Sequence, residues 1–374
     1  MKILTVFGTR PEAVKMAPVV RRLQANDQTD VIVCVTGQHR EMLDQVLDLF
    51  GIQPDVDLDL MQANQSLNGL TARVLLALDP VLADLQPDWL LVQGDTTTVM
   101  AAALAAHNRR IKVGHVEAGL RTYDRANPFP EEMNRVVADH VSDLHFAPTA
   151  RSRDALLREA ISPDSIFVTG NTVIDALLWA GEQPLPQAAL DRLARAGYQD
   201  GKETILVTAH RRENHGRPIR DICAALARLA RDRPARQIVY PVHRNPNIED
   251  PVHQLLAGLP GIVLLPPVDY LTLAYLMQGS RLILTDSGGI QEEAPSLGKP
   301  VLVLREATER PEAVEAGAVR LVGTDPDQIV GQAESLLSDS DAYAAMARAV
   351  NPYGDGRAAQ RIVDVLVTGK CEEF

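Results

Sequence analysis

Short apolar runs alternate with amphipathic stretches of helical spacing along almost the whole of this 374-residue chain. The first set of runs is "KILTVF" (2–7), "DVIVCVT" (30–36), "DWLLVQ" (88–93), "IKVGHV" (111–116), "LHFAP" (144–148) and "SIFVTG" (165–170), with helical patterns such as 12–25 and 68–86 between them. Near-continuous apolar strands separated by helices predict a parallel, doubly wound α/β sheet. The rhythm breaks over 171–203, where Pro184 and Pro186 precede a charged helix-like piece and "GYQDGK". It restarts with "TILVTA" (204–209), "RQIVYPV" (236–242), "GIVLLPP" (261–267), "RLILTD" (281–286), "PVLVL" (300–304) and "AVRLVG" (318–323). The length exceeds what one core usually holds. The expectation is therefore two Rossmann-like domains facing a cleft: 1–170, a linker region 171–203, and 204–355, followed by a last helix in 356–374. In such sheets ligands bind at the carboxyl ends of the strands.

Composition removes several function classes. The formal net charge is −12, whereas non-specific nucleic-acid binding needs a basic field. Aromatic residues make up only 4%, too few for a base-stacking platform. The three cysteines, Cys34, Cys223 and Cys371, are an odd and sparse set, as expected of a reducing compartment. No Cys/His spacing suits zinc, so no metal is expected. The apolar run "ILTVF" is too short for a signal peptide, and no run approaches membrane-spanning length. These features predict a cytoplasmic protein without membrane or nucleic-acid partners.

The polar residues concentrate at strand ends. "FGTRPE" (7–12) is not GxGxxG, and the second strand ends in Thr36-Gly37 with no acidic residue, so a nicotinamide site is disfavoured. "SLGKP" (296–300) lacks the upstream glycine and final Ser/Thr of a P-loop. Arg10 and Lys15 fit charge stabilisation of a phosphate-bearing ligand, or a solvated helix face. "SGGIQEE" (287–293) reads as strand, small-residue turn and helix, with the helix running to about Gly298. Ser287, Gly288 and Gly289 there would let backbone N–H groups approach a diphosphate, and Glu293 would accept two ribose hydroxyls. Ordinary helix capping accounts for the Ser and the Glu but not for the paired glycines. Asp95, Glu117, Arg121, Glu131 and Glu132 lie in loops of one domain. Converging carboxylates there would suit proton transfer, while capping is the plainer role for Asp95, Glu131 and Glu132. "TAHRREN" and "PVHRNPN" place His210 and His243 at equivalent strand ends, as general acids or hydrogen-bond donors to phosphate, and His39 is a weaker third candidate.

The blocks "FGTRPEAVKMAPV", "TGQHREMLDQVL", "GDTTT", "GHVEAGLRT", "PEEMNR", "GNTVIDAL", "AHRREN", "YPVHRNPN", "TDSGGIQEEAPSLGKPVLVLR", "TERPEA", "GTD" and "NPYGDG" occur in one order between Phe7 and Gly356. Together they make the chain resemble the bacterial non-hydrolysing UDP-N-acetylglucosamine 2-epimerases. That resemblance implies a glycosyltransferase-B architecture, in which the last helix, in 356–374, packs back on the first domain. It implies as well a chain that is usually a homodimer, and interconversion of UDP-GlcNAc and UDP-ManNAc for surface polysaccharide synthesis. It implies elimination of UDP to 2-acetamidoglucal and re-addition, with no metal or redox cofactor. By motif position it implies that Arg10, Ser287, Gly288, Gly289, Glu293 and Arg310 hold UDP. Lys15, Asp95, Glu117, Glu131 and His210 would then act at the sugar, and Gln38, Glu131, Arg211 and His243 would meet a second, activating UDP-GlcNAc. The chain departs from the pattern at Asn64, where some members carry a basic residue of the effector region, and at Leu273, where some carry an aromatic against the uracil. The alternatives are a UDP-sugar transferase of the same architecture, a hydrolysing 2-epimerase that releases UDP, and a binding protein without turnover.

Overall fold

The structure is a computed structural model. It describes every residue except Gln38, His39, Met61, Ala63 and Asn64, and the side chains of all but these and Arg40, Glu41 and Met42. Thirteen strands occur among the described residues: β1 (Lys2–Phe7), β2 (Asp30–Val35), β3 (Val56–Asp57), β4 (Trp89–Gln93), β5 (Lys112–Val116), β6 (Leu144–Ala147), β7 (Ile166–Val168), β8 (Glu203–Thr208), β9 (Arg236–Pro241), β10 (Ile262–Leu265), β11 (Leu282–Thr285), β12 (Val301–Val303) and β13 (Val319–Leu321). The first seven form one sheet in the order β3-β2-β1-β4-β5-β6-β7, and the rest a second in the order β10-β9-β8-β11-β12-β13. Every pairing is parallel. The α/β class with two Rossmann-like sheets is as expected. All twelve expected strands are present, within two residues of their expected bounds. The thirteenth, β3, is only two residues long and carries no alternation of its own. It is a strand because Cys34 and Val35 of β2 pair with it.

Each strand run is apolar because helices cover both faces of its sheet. In β1, Ile3, Leu4, Val6 and Phe7 are all fully buried. Two compact units result, Met1–Ala176 with Tyr353–Phe374, and Leu177–Pro352. The segment 171–203 is largely helical, with helices Thr172–Gly181 and Gln187–Arg195. In the first unit the C-terminal helix Ala358–Thr368 packs on the helix Arg10–Gln24. Asp175 accepts the backbone N–H groups of Ala358 (3.2 Å) and Ala359 (2.9 Å) at its start.

Both sheets reverse their strand order once, between β1 and β4 in the first unit and between β8 and β11 in the second. At such a switch point the connections leave in opposite directions and open a crevice at the carboxyl ends. The turn after β1 carries Gly8, Thr9 and Arg10, and the turn after β4 carries Gly94 and Asp95. The turns after β8 and β11 carry His210 and Asp286–Ser287. The chemistry-bearing motifs thus sit where the topology makes room for a ligand.

Candidate functional site

In the first unit the turn after β1 becomes a helix at once. Thr9 is the N-cap, with Pro11 in the first turn, and Glu12 closes a capping box. The Glu12 carboxylate accepts N–H bonds from Gly8 (2.7 Å) and Thr9 (2.8 Å) and the hydroxyl of Thr96 (2.5 Å), so a single buried side chain joins the β1 turn to the β4 turn. Thr96, not Asp95, caps the helix Thr97–Asn108. Asp95 is therefore not committed to capping, and its side chain is 28% exposed. It bonds Arg135 Nη2 at 2.7 Å, and its backbone carbonyl accepts from Asn134 Nδ2 at 3.0 Å. Burial raises the Asp95 carboxyl above the usual carboxylate range. Arg135 and Lys15 pull it down, and Glu117 and Glu131 push it up.

Glu117 follows β5 in the left-handed region at φ 66°, a conformation rare for a residue with a side chain. Its carboxylate accepts Lys15 Nζ at 2.5 and 2.7 Å, Asn171 Nδ2 at 2.9 Å and the amide of Gln93. Lys15 is therefore an ion-pair partner of Glu117 and not part of a solvated helix face. Glu131 opens the helix Glu131–Val141 and is half-buried, and its side chain makes no hydrogen bond among the described residues. Its neighbour Glu132 is structural, because it accepts the N–H groups of Thr122 and Tyr123 and fixes the preceding loop. Arg121 is likewise enclosed. Its side chain is 1% exposed and pairs with Asp139 and Glu159. Arg10 begins the first helix, half-buried and without a partner among the described residues.

In the second unit the organising group is Asp286, fully buried at the end of β11. One of its oxygens accepts the N–H groups of His210 and Arg211 and the amide of Asn214, all at 2.8 Å, which folds the β8 turn over the end of β11. His210 Nδ1 lies 3.8 Å from the other oxygen. The His210 ring stacks on His243, with centroids 5.4 Å apart. Burial lowers the His210 pKa, and His243 and Arg211 lower it further against the pull of Asp286. A short helix, Gly288–Glu293, follows. It continues as a 3-10 turn, Ala294–Leu297, and closes at Gly298 with φ 64°. Ser287 stands at its N-cap, but its hydroxyl makes no capping bond, and Glu292 and Glu293 end the helix instead of opening it. Ordinary capping therefore does not account for these residues. A Cβ on Gly288 would lie 3.6 Å from Arg211 Nη2 and 4.0 Å from Arg310, so two guanidiniums flank the helix start. A Cβ on Gly289 would lie 3.4 Å from a Glu293 oxygen. Arg310 Nε bonds Glu292, and Tyr270 Oη donates to Glu293 at 3.3 Å.

The first unit thus gathers Lys15, Asp95, Glu117 and Glu131. The second gathers His210, Arg211, His243, Ser287, Gly288, Gly289, Glu293 and Arg310. Gln38 and His39 lie outside the described residues. Gln93, Arg135, Asn171 and Asp286 were not singled out from the sequence, although each falls within a quoted motif; Gln93, Asn171 and Asp286 stand at or just beyond strand ends, and Arg135 lies within the helix Glu131–Val141. Among the described residues no group of three His, Cys, Asp or Glu side chains is arranged to hold a metal ion, and no helix is long and apolar enough to cross a membrane.

One strand-end cluster thus has paired guanidiniums over a glycine-rich helix start and the other has clustered carboxylates, and the chain as a whole matches a known family. The family model described as UDP-N-acetylglucosamine 2-epimerase matches residues 21–367. A UDP-N-acetylglucosamine 2-epimerase of Yersinia pestis is 56% identical over 369 residues, 98% of each chain. The crystal structure of the Neisseria meningitidis UDP-GlcNAc 2-epimerase bound to UDP-GlcNAc is 51% identical, covers 98% of this chain and 100% of its own, and superposes with a TM-score of 0.87. That of the Methanocaldococcus jannaschii enzyme in complex with UDP-GlcNAc and UDP is 34% identical over 98% and 99%, with a TM-score of 0.78. The strand order, the position of the motifs on it and these matches over nearly the full length agree, and the chain belongs to the UDP-N-acetylglucosamine 2-epimerase family.

Proposed function

We propose that this chain is a non-hydrolysing isomerase that interconverts UDP-GlcNAc and UDP-ManNAc by eliminating UDP and adding it back. The observation that carries the reading is the separation of two chemistries onto two switch points. The second unit offers an anion cradle: the Gly288–Gly289 helix start with Arg211 and Arg310 over it. The first offers carboxylates in graded environments. The C2 proton of the sugar has no adjacent carbonyl, so removing it alone would be very costly. Loss of UDP across C1–C2 gives a neutral 2-acetamidoglucal, and re-addition delivers the proton to the opposite face. That route is redox-neutral, so it calls for no nicotinamide.

The roles divide by environment. Ser287, Gly288, Gly289 and Arg310, with Arg10, stabilise the leaving diphosphate, and Glu293 accepts the ribose hydroxyls. His210, whose lowered pKa keeps its ring neutral, donates a hydrogen bond from its N–H to the departing phosphate oxygen. Glu117 is committed to Lys15, Gln93 and Asn171 and acts by position and charge. Asp95, with a raised pKa and one ionic partner, takes the C2 proton, and Glu131 serves the opposite face. Arg211 and His243, with Gln38 by motif position, contact an activating second substrate. The family resemblance adds a homodimer and supply of surface polysaccharide precursors, and the odd, sparse set of cysteines fits a cytoplasmic location.

Proton NMR of UDP-GlcNAc with the purified protein in D2O tests the reading. UDP-ManNAc bearing deuterium at C2 is expected. Net accumulation of free UDP and ManNAc would make the enzyme a hydrolysing one. No exchange with UDP still bound would point to a transferase lacking its acceptor.

A further inference from the structure

Behind the carboxylates lies a buried charge network that the proposed chemistry does not use. His115, on β5, is fully buried. Its Nδ1 lies 2.6 Å from Asp139 Oδ1, and its Nε2 lies 2.7 Å from the backbone carbonyl of Gly94. A carbonyl oxygen can only accept, and so can an ionised carboxylate. Both ring nitrogens must then carry hydrogens, which makes this side chain an imidazolium in the protein interior.

One bond of that imidazolium ends in the Asp95 turn, and the other reaches the Glu117 turn through Asp139, in the helix Glu131–Val141. Gly94, at φ 83°, immediately precedes Asp95. The other oxygen of Asp139 accepts the N–H of Gly119 at 3.2 Å, two residues after Glu117 in the turn that leaves β5. Gly119 itself, at φ 85°, cannot carry a side chain, since a Cβ would lie 2.3 Å from the Ser152 carbonyl oxygen. The residues facing the pair are few. Arg121, from the following loop, bonds Asp139 at 2.8 Å and Glu159, at the end of the helix Ala150–Arg158, at 2.7 Å. His145, on β6, meets the Asp139 carbonyl at 2.8 Å through Nε2. Two cations, His115 and Arg121, thus face two carboxylates, Asp139 and Glu159, and the cluster is electrically neutral.

We propose that His115, held doubly protonated by Asp139, is a positioning residue that fixes the Asp95 and Glu117 turns relative to each other through the Gly94 carbonyl. The proposal rests on the assignment of Asp95 and Glu117 to the sugar chemistry. Burial alone would neutralise the ring, but Asp139 and the Gly94 carbonyl outweigh it and hold the His115 pKa above its ordinary value. Burial raises Asp139, and His115, Arg121 and His145 overcome this and bring it down to about 2. The imidazolium is therefore fully present below the ordinary histidine pKa and is lost only as pH rises through its own raised value.

Two measurements decide the matter. In the wild-type protein with 15N-labelled histidine, the His115 ring should show both nitrogens protonated at pH 7. A neutral tautomer there would overturn the proposal whatever the enzyme does. Provided the wild-type protein turns over UDP-GlcNAc, His115→Leu should lose roughly 100-fold in kcat, as expected of an ångström-scale misplacement, with KM changed less than about twofold. His115→Gln, which keeps a donor toward Gly94, should recover part of the loss. Asp139→Asn, which weakens the grip on the proton, should move the alkaline fall of kcat to lower pH. A leucine variant with near wild-type kcat, or an alkaline limb unmoved in Asp139→Asn, would remove His115 from the positioning role. A wild-type protein with no turnover would count against the proposed function, and the labelled-histidine spectrum would still decide the charge.

Discussion

At Asp95 four charged neighbours act on one carboxyl, and their balance sets what it can do. Burial and the carboxylates Glu117 and Glu131 raise its pKa, while Arg135 and Lys15 lower it. A base works only when ionised, so activity should fall with acidity through the raised pKa, and the acid limb of kcat/KM should lie above the ordinary aspartate range. Arg135→Ala removes the strongest opposing partner, so it should move that limb to still higher pH. A limb left unmoved would mean that another group is being titrated. Asp95→Asn should abolish nearly all turnover while UDP affinity, read by calorimetry, stays within about threefold of the wild type, because the UDP-binding groups other than Arg10 are proposed to lie in the second unit. In that unit Glu293→Ala should weaken UDP binding roughly 10- to 100-fold, the worth of hydrogen bonds to a charged group. Unchanged affinity would take the ribose away from Glu293. The residue types at these points were legible in the sequence. Their partners were not, because Arg135 reaches Asp95 and Asn171 reaches Glu117 only after the fold has joined segments 40 and 54 residues apart.

At the level of elements, the apolar runs announced the strands because a parallel strand buried on both faces leaves little choice of side chain. The apolar pattern places two helices at 12–25 and 68–86, and local capping moves their starts to earlier residues. Thr9 and Ser66 begin the helices Arg10–Gln24 and Leu67–Leu85 one or two residues ahead of their apolar pattern. The strand β3 was silent because two residues cannot show a period, and its identity comes from its neighbour. Asn171 shows how one element end can serve two purposes. Its backbone N–H donates to the Tyr353 carbonyl at 2.6 Å, its side-chain oxygen accepts from Val173 at 3.1 Å, and its amide holds Glu117. Asn171→Ala should lower kcat about tenfold with little change in KM. Asn171→Asp, although isosteric, should do worse, because it sets a second negative charge about one hydrogen-bond length from Glu117. If the alanine variant were the more damaged of the two, the amide's contribution would be packing and not its hydrogen to Glu117.

For the whole molecule, the repeat of the strand rhythm announced two units, but their chain composition is less regular than the rhythm. The second is continuous, Leu177–Pro352, whereas the first is assembled from Met1–Ala176 and the returning Tyr353–Phe374. Nothing in the amphipathic pattern of the last helix says which unit it covers. The contacts do. Ile362, Val363, Val365 and Leu366 are buried, and Arg361 is bidentate to Asp355, with a further bond to the Thr169 carbonyl. Four such aliphatic side chains are worth roughly 6–12 kcal/mol, comparable with the entire net stability of a domain. The first unit should therefore not survive without its last segment. Expressed separately, 177–352 should be soluble and melt cooperatively, and 1–176 should aggregate. Fusing 353–374 to the latter through a flexible linker should restore solubility and a cooperative transition by circular dichroism. A stable, cooperatively melting 1–176 would show that the C-terminal helix is an accessory to the first unit instead of a part of its core.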